Sequence, residues 1–423
     1  MIKTPLSTVL GGAFWTPGAT VIGGNTPTFD QQILKLFANG EQGFYYDPND
    51  LTTMFQDAAG VIPVTDVGQP VGLMLDKSKG LELGAELITN GTFDTGIEGW
   101  DSYSATLEYS GSQLKATATA STSGSVSQAI STVSGKFYVI SCEITPDLSN
   151  TVKGLGRLNI MSGGVNSYTE GGLTDGVRNK VQIIVKANSA LMTINIGIAK
   201  VGFWGGVGAT LYIDNVSVKE LTGNHAYQTT SASRPILRKN DVTGANYLEF
   251  DGSDDFLQTN SVDFTAVDEM TVIAAIRGIG GALNSIVIES SPSGFATNGS
   301  FGVRYPGIIG NTLTFTSRGT AYAQVNAGSN LIPPQSLVLT GSAKISTSVM
   351  SIRANGVAYS ETLSQGSGNY GNYPLYIGRR AGTSLPLNGH LYGIIGIGKL
   401  IPESDVKRIE QGLAKFLGVT LNV

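Results

Sequence analysis

Charge is what this sequence has least of. Asp, Glu, Lys and Arg make up only 14% of its 423 residues, where about 25% is usual for soluble domains. The formal net charge is −5, and the basic residues are scattered, with no Lys/Arg stripe interleaved with aromatics. That excludes the electrostatic footprint of a nucleic-acid-binding protein. Cys142 is the one cysteine, so no intrachain disulfide can form, which is compatible with folding in a bacterial cytoplasm. It lies in Phe137-Tyr-Val-Ile-Ser-Cys-Glu-Ile144, an alternating strand in which a small buried residue is expected. The two histidines, His225 and His390, stand apart from any His-Glu-x-x-His frame or Cys pair, so no zinc site is expected. No apolar run approaches the roughly 18 residues of a membrane span. The N-terminal Pro5-Leu-Ser-Thr-Val-Leu-Gly-Gly-Ala-Phe-Trp15 is too short and too broken by Pro and Gly to make a secretory signal.

Catalytic motifs are missing as well. Gly382-Thr-Ser-Leu-Pro386 lacks the second glycine of a nucleophile elbow, and no glycine-rich loop ends in Gly-Lys-Ser/Thr. A glycosidase needs two carboxylates at a set separation. Glu249 and Asp251 alternate along a strand, but Asp251-Gly-Ser-Asp-Asp255 reads first as a turn in which Asp side chains accept from nearby backbone amides. The expectation is therefore a non-enzyme.

What is present is glycine, 56 residues of it, with Ser, Thr and short apolar alternations. That composition predicts an all-β protein with many turns, and the length predicts two or three domains. Residues 1–40 begin with Gly- and Pro-punctuated chain that cannot hold an independent core. They read as an arm with Phe14 and Trp15 as anchors for a partner surface. Within them Ile33, Leu36 and Phe37 share one face of a short helix stopped by Asn39-Gly40.

Eight strands are predicted between 84 and 221: Ala105–Tyr109, Gln113–Ala118, Ser125–Ile130, Phe137–Ile144, Gly156–Ile160, Asn179–Val185, Leu191–Ile198 and Gly208–Lys219. Their spacing fits a jelly roll. Nine further strands are predicted after 222: Tyr247–Phe250, Thr271–Ile276, Ser285–Glu289, Phe301–Arg304, Thr312–Thr316, Ser336–Gly341, Val349–Ala354, Pro374–Gly378 and Gly389–Ile397, with Asn355-Gly356 as a hairpin turn. At the end, Val406, Ile409, Leu413, Phe416 and Leu417 recur at helical spacing, between Pro402 and a stop at Gly418.

Two stretches carry a resemblance. Val71-Gly-Leu-Met-Leu-Asp-Lys-Ser-Lys-Gly80 and Gly223-Asn-His-Ala226, the latter followed by Arg234-Pro235 and Phe250-Asp-Gly-Ser-Asp-Asp255, when joined resemble the opening of the laminin-G/concanavalin-A-like lectin domains found in bacteriophage tail and virion proteins. Roughly 140 residues separate the halves. The intervening block opens with Glu86-Leu-Ile-Thr-Asn-Gly-Thr-Phe-Asp94 and closes with Leu211-Tyr-Ile-Asp-Asn-Val-Ser-Val218, a pair that resembles the first and last strands of a carbohydrate-binding-module-like jelly roll. The resemblance implies a concanavalin-A-like sandwich over 41–83 and 222–423, interrupted by a jelly roll inserted at 84–221. It also implies a structural Ca²⁺ held by the Gly91 carbonyl, Asp94 and Asp214, oxygen donors that suit the ion.

Sugar recognition wants aromatic platforms among amides and hydroxyls. The candidates are Tyr103, Tyr109, Tyr168 and Trp204 in the insert and Tyr370 and Tyr373 in the glycine-rich loop 366–373, with Tyr305 and Tyr322 also in polar surroundings. Together these point to a phage virion protein, made in the host cytoplasm, of tail fibre or tip. Its arm would dock on other virion proteins and its sandwiches would bind host-surface polysaccharide, in a homo-oligomer for which a trimer fits the resembling fibres. A purely structural capsid or tail decoration protein and a polysaccharide depolymerase accessory are the alternatives.

Overall fold

A computed structural model describes residues 27–120, 124–147, 155–162, 165–168, 176–200, 203–204, 207–307, 309–328 and 330–421. Phe14 and Trp15 lie outside the described residues. The described residues are all-β apart from short helical turns and one long helix, and they separate into two compact units. One comprises 27–58, 62–81 and 223–421, the other 59–61 and 82–222.

The first unit is a sandwich of two antiparallel sheets. One runs, in spatial order, through Ile236–Lys239, Asn246–Asp251, Asn388–Ile397, Glu269–Gly280, Gln335–Lys344, Val349–Ala354 and Val357–Thr362, with Gly43–Tyr46 also paired to Asn388–Ile397. The other has nine strands, ending in Phe301–Arg304, Leu313–Arg318 and Tyr322–Ala327. Strand periodicity decides where the core sits. From Glu269–Gly280, Val272, Ala274 and Ile276 point into the core between the sheets, with Val303, Phe315 and Val325. Ile273 and Ala275 point the other way, onto Ile409, Leu413 and Leu417 of the C-terminal helix Glu403–Leu417. That helix ends where expected, at Gly418 in the left-handed conformation (φ 68°). Its buried Glu410 accepts from Arg353 Nε at 2.9 Å and from Thr340 Oγ1 at 2.7 Å. The short N-terminal helix Phe29–Leu34 is capped by Thr28 and buries Ile33, with Leu36 and Phe37 following in a tighter turn.

The split motif is rejoined in this unit around Asp76, which is fully buried. Its Oδ1 accepts from the backbone N–H of Tyr45 and Ser78, both at 2.8 Å, and its Oδ2 from Asn224 N–H at 2.8 Å and Ser78 Oγ at 2.9 Å. Asp76 N–H donates to His225 Nδ1 at 2.9 Å, so His225 helps hold the two halves of the motif together.

The second unit is also a two-sheet sandwich. One sheet orders Val165–Tyr168, Leu155–Ser162, Leu191–Lys200, Gly124–Ser131 and Asp101–Tyr103, with Phe203–Trp204 beside Leu191–Lys200. The other orders Asn179–Lys186, Phe137–Asp147, Thr210–Leu221, Leu114–Ala118 and Ala105–Tyr109, with Leu83–Glu86 beside Thr210–Leu221. Cys142 is buried in the core between them. Trp100 packs on Phe93 there and donates its indole N–H to the Asn90 carbonyl at 3.1 Å.

Candidate functional site

Two surfaces have the chemistry of a site. The first is the outer face of the insert's sheet that contains Leu191–Lys200. Val126, Met192, Ile194 and Ile196 are core residues, so alternation sends Ser125, Ser127, Thr193, Asn195 and Gly197 to the opposite face. Residues directly opposite in an antiparallel ladder share a face. The register aligns Tyr103, Ser125, Gly197 and Arg157 in one row, and Asp101, Ser127, Asn195, Asn159 and Tyr168 in the next. Trp204 stands opposite Ala199, which has the same parity as Asn195 and Gly197. Of the six predicted aromatic positions, Tyr103 falls on this face, and the strands that carry Tyr168 and Trp204 belong to the same sheet. The strands of Tyr103 and Tyr168 are the sheet's two edges, four strand spacings or about 19 Å apart, and Ser125, Ser127 and Asn195 lie between them. Tyr103 is 66% exposed.

The other aromatic candidates do not join them. Tyr109 is exposed on the insert's other sheet, its hydroxyl donating to the Asp94 carbonyl at 2.9 Å. Tyr370 corrects the expectation of an exposed loop platform. Its N–H donates to the Val267 carbonyl at 2.9 Å, which turns the ring inward. There it meets Phe301 edge to face at 5.5 Å, and its hydroxyl bonds Ser317 Oγ at 2.7 Å. Burial raises the phenol's pKa. Tyr373 is half-buried and donates to the Asn298 carbonyl at 2.8 Å, so it closes a loop. Tyr305 is likewise buried rather than exposed.

The expected calcium donors have protein partners. The Gly91 carbonyl accepts from Val216 N–H at 2.9 Å. Asp94 takes Thr92 Oγ1 at 2.7 Å. Asp214 is paired with the Arg178 guanidinium at 2.5 Å, as is Glu143. A guanidinium at Asp214 does the neutralising that a cation would do, so calcium held by Asp94 and Asp214 would have to displace Arg178.

The second surface is a cleft of about 600 Å³ on the outer sandwich, where the sheet face covered elsewhere by the C-terminal helix lies open. Arg238, Glu249, Asp251, Asp255, Asn388 and His390 line it. Arg238 Nε donates to Glu249 at 2.6 Å. The His390 ring stacks on Tyr247 at 4.1 Å between centroids. Burial lowers the imidazole's pKa to about 4, against the pull of Glu249, so it is neutral at pH 7. Burial, then the charge of Asp251, raises Asp255 to about 7. Carboxylate oxygens of Asp251, Asp254 and Asp255 lie within 4.8 Å of one another. The turn reading of 251–255 holds: Asp251 Oδ1 accepts from Ser253 and Asp254 N–H at 2.8 and 3.3 Å, and Asp255 accepts from Asp251 N–H at 3.1 Å. The grouping of Tyr247 and His390 with Glu249 was not anticipated. The shared parity of residues 247, 249 and 251 was the available signal.

No family model matches this chain, and no curated protein matches it. Solved structures do. A CBM4 structure is similar over 31% of this chain and 99% of its own, at 16% identity and a TM-score of 0.24. The Ruminococcus gnavus IT-sialidase CBM40 bound to α2,3-sialyllactose is similar over 36% of this chain and 97% of its own, at 11% identity and a TM-score of 0.29. The binding domain of botulinum neurotoxin DC in complex with SialylT is similar over 44% of this chain and 50% of its own, at 12% identity and a TM-score of 0.31. These neighbours are carbohydrate-binding modules and a toxin binding domain.

Proposed function

We propose that the chain is a non-catalytic glycan-binding protein and that the insert's outer sheet face is its binding surface. The observation behind this reading is the exposed Tyr103 on the face that carries Ser125, Ser127, Asn195 and Gly197, in a sheet to which the strands of Tyr168 and Trp204 also belong. Aromatic rings offer apolar platforms for sugar C–H faces, and small hydroxyl and amide residues between them leave room for a chain while pairing its hydroxyls. A face about 19 Å wide suits an extended polysaccharide better than a single sugar. Binding per site is weak in this design and gains strength from multiple copies. The setting we propose is a bacteriophage tail fibre or tip that meets host-surface polysaccharide. Its support is the resemblance of 43–80 and 223–257, whose halves converge on Asp76 and His225.

The test is retention of the full-length chain on a panel of bacterial surface polysaccharides, with glycan length followed over time. We expect binding without shortening, and Tyr103→Ala and Trp204→Ala each to weaken it about tenfold or more. No binding to any polysaccharide would move the reading to a decoration protein. A second reading, polysaccharide cleavage at the outer cleft, is favoured by the raised pKa of Asp255 beside Glu249 and Asp251, since perturbed carboxylates in a cleft mark acid–base sites. Shortened glycan chains would select it.

A further inference from the structure

The strand Val357–Thr362 ends the outer sandwich's eight-stranded sheet, and all six of its residues are exposed. Among the described residues nothing pairs with its far side. The sheet's opposite edge, Ile236–Lys239, is covered: Leu237 N–H donates to the Gln69 carbonyl at 2.9 Å, and the Leu237 carbonyl accepts from Gly68 N–H at 2.7 Å, as natural edges are commonly protected. Val357–Thr362 has no Lys, Arg or Pro, and its one charge is Glu361. Val357 and Tyr359 are 39% and 38% exposed. This edge is unguarded.

The preceding hairpin fixes which backbone groups face outward. Asn355 and Gly356 both have positive φ, 48° and 86°, the signature of a two-residue type I′ turn. Ala354 and Val357 therefore form a hydrogen-bonded pair, and Ile352 with Tyr359 and Met350 with Glu361 follow at every second position. Leu363 N–H donating to the Ser348 carbonyl at 2.8 Å keeps the same phase. The N–H and C=O of Ala358, Ser360 and Thr362 consequently point to the open side.

We propose that this edge pairs with the same edge of a second copy, joining two sandwiches into one continuous antiparallel sheet across a twofold axis at Ser360. Opposed residues in an antiparallel pair share a face, so a symmetric pairing must match residues of the same parity. Centring on Ser360 uses all three outward-facing residues, Ser360 opposite itself and Ala358 opposite Thr362 on either side. Centring on Tyr359 leaves the backbone groups of Thr362 opposite the turn. In the Ser360 register Tyr359 faces the partner's Glu361, and no like charges meet. The pairing is independent of glycan binding, although it would double the binding faces per particle.

Sedimentation velocity of the full-length chain over a concentration series tests it, with a monomer–dimer equilibrium expected. Ser360→Pro removes an outward N–H and leaves the hairpin's own ladder intact, a position where edge strands tolerate Pro. It should abolish the dimer with an unchanged melting temperature. Tyr359→Glu sets like charges against Glu361 at two places and should weaken the dimer about tenfold. Adding Glu361→Lys to that variant should restore it. A wild-type chain that stays monomeric throughout, or a dimer indifferent to Ser360→Pro, would overturn the pairing. Failure of Glu361→Lys to rescue would overturn the register.

Discussion

The insert's sheet face and the outer sandwich's cleft are two ways of making a polar surface on a β-sandwich. The insert's face is broad and sparsely charged, built mainly from Ser, Asn and Gly, with Tyr103 and Asp101 on its edge strand. The cleft is narrow and charged, with an Arg–Glu pair, a neutral imidazole and a carboxyl group held near neutrality. The difference follows from what each sheet face must do. The outer sandwich buries most of the face behind Asn388–Ile397 under the C-terminal helix, so its polar groups crowd into the uncovered remainder and perturb one another. Among the described residues of the insert no helix covers a sheet, so the polar residues of this face are spread thinly. Spread hydroxyls and amides suit an uncharged polymer, whereas a crowded charged cleft suits chemistry or a compact ligand.

The sharpest way to separate the two surfaces is to destabilise one unit. Asp76→Ala removes four accepted hydrogen bonds in the buried heart of the outer sandwich and leaves their donors unsatisfied. A loss of about 3–5 kcal/mol is expected, read as a large fall in the outer unit's unfolding midpoint. Polysaccharide binding that survives in this variant assigns the glycan surface to the insert. Binding that disappears with the outer unit assigns it to the cleft.

Glu410→Ala comes next. It leaves Arg353, which is only 8% exposed, with the solvent-exposed Glu403 at 3.9 Å as its remaining carboxylate. About 3 kcal/mol should be lost, and hydrogen exchange should locate the loss in the C-terminal helix. Uniform exchange across the chain would show that the pair does not specifically pin the helix to its sheet.

Strand positions were readable wherever large β-branched or aromatic residues alternate, as in Phe301–Arg304 and Val349–Ala354, both found at the predicted bounds. Leu257–Asp263 escaped because an irregular register between Gln258 and Ser261 interrupts its alternation. Tyr322–Ala327 escaped because two of its three buried residues are alanines. The site was half legible. Composition nominated Tyr103, Tyr168 and Trp204, but only strand pairing could show that their strands belong to one sheet, and pairing depends on contacts distant in sequence. Composition failed for Tyr370, where Gly and Ser neighbours suggested exposure and a backbone hydrogen bond to Val267 turned the ring inward.

The cleft should also betray itself by pH. Asp255 has a folded-state pKa of about 7 against an ordinary 3.8. Its contribution to stability is therefore greatest below about pH 4 and falls as pH rises through 7, because the folded state resists an ionisation that the unfolded chain makes freely. Asp255→Asn should flatten that slope and make the variant relatively more stable at pH 8 than at pH 5. Melting temperatures of both proteins across this range are the measurement. An unchanged slope would mean that Asp255 ionises normally, and the acid–base reading of the cleft would lose its main support.

The smallest effect is expected at Arg178, and it bears on how the insert's ends are fastened. The guanidinium bridges Asp214 and Glu143 on neighbouring strands but is half-exposed, so Arg178→Gln should cost no more than about 1 kcal/mol. The variant would leave two carboxylates facing each other without a cation, the arrangement in which a divalent ion has most to offer. If Arg178 is the fastening, calcium and chelator should leave the wild-type melting temperature unchanged, and calcium should raise that of the variant only slightly. A wild-type protein that loses stability in chelator would mean that the ion, with Asp94 and Asp214 as ligands, displaces the guanidinium. The insert would then be fastened by a metal that its opening and closing motifs share with the modules they resemble.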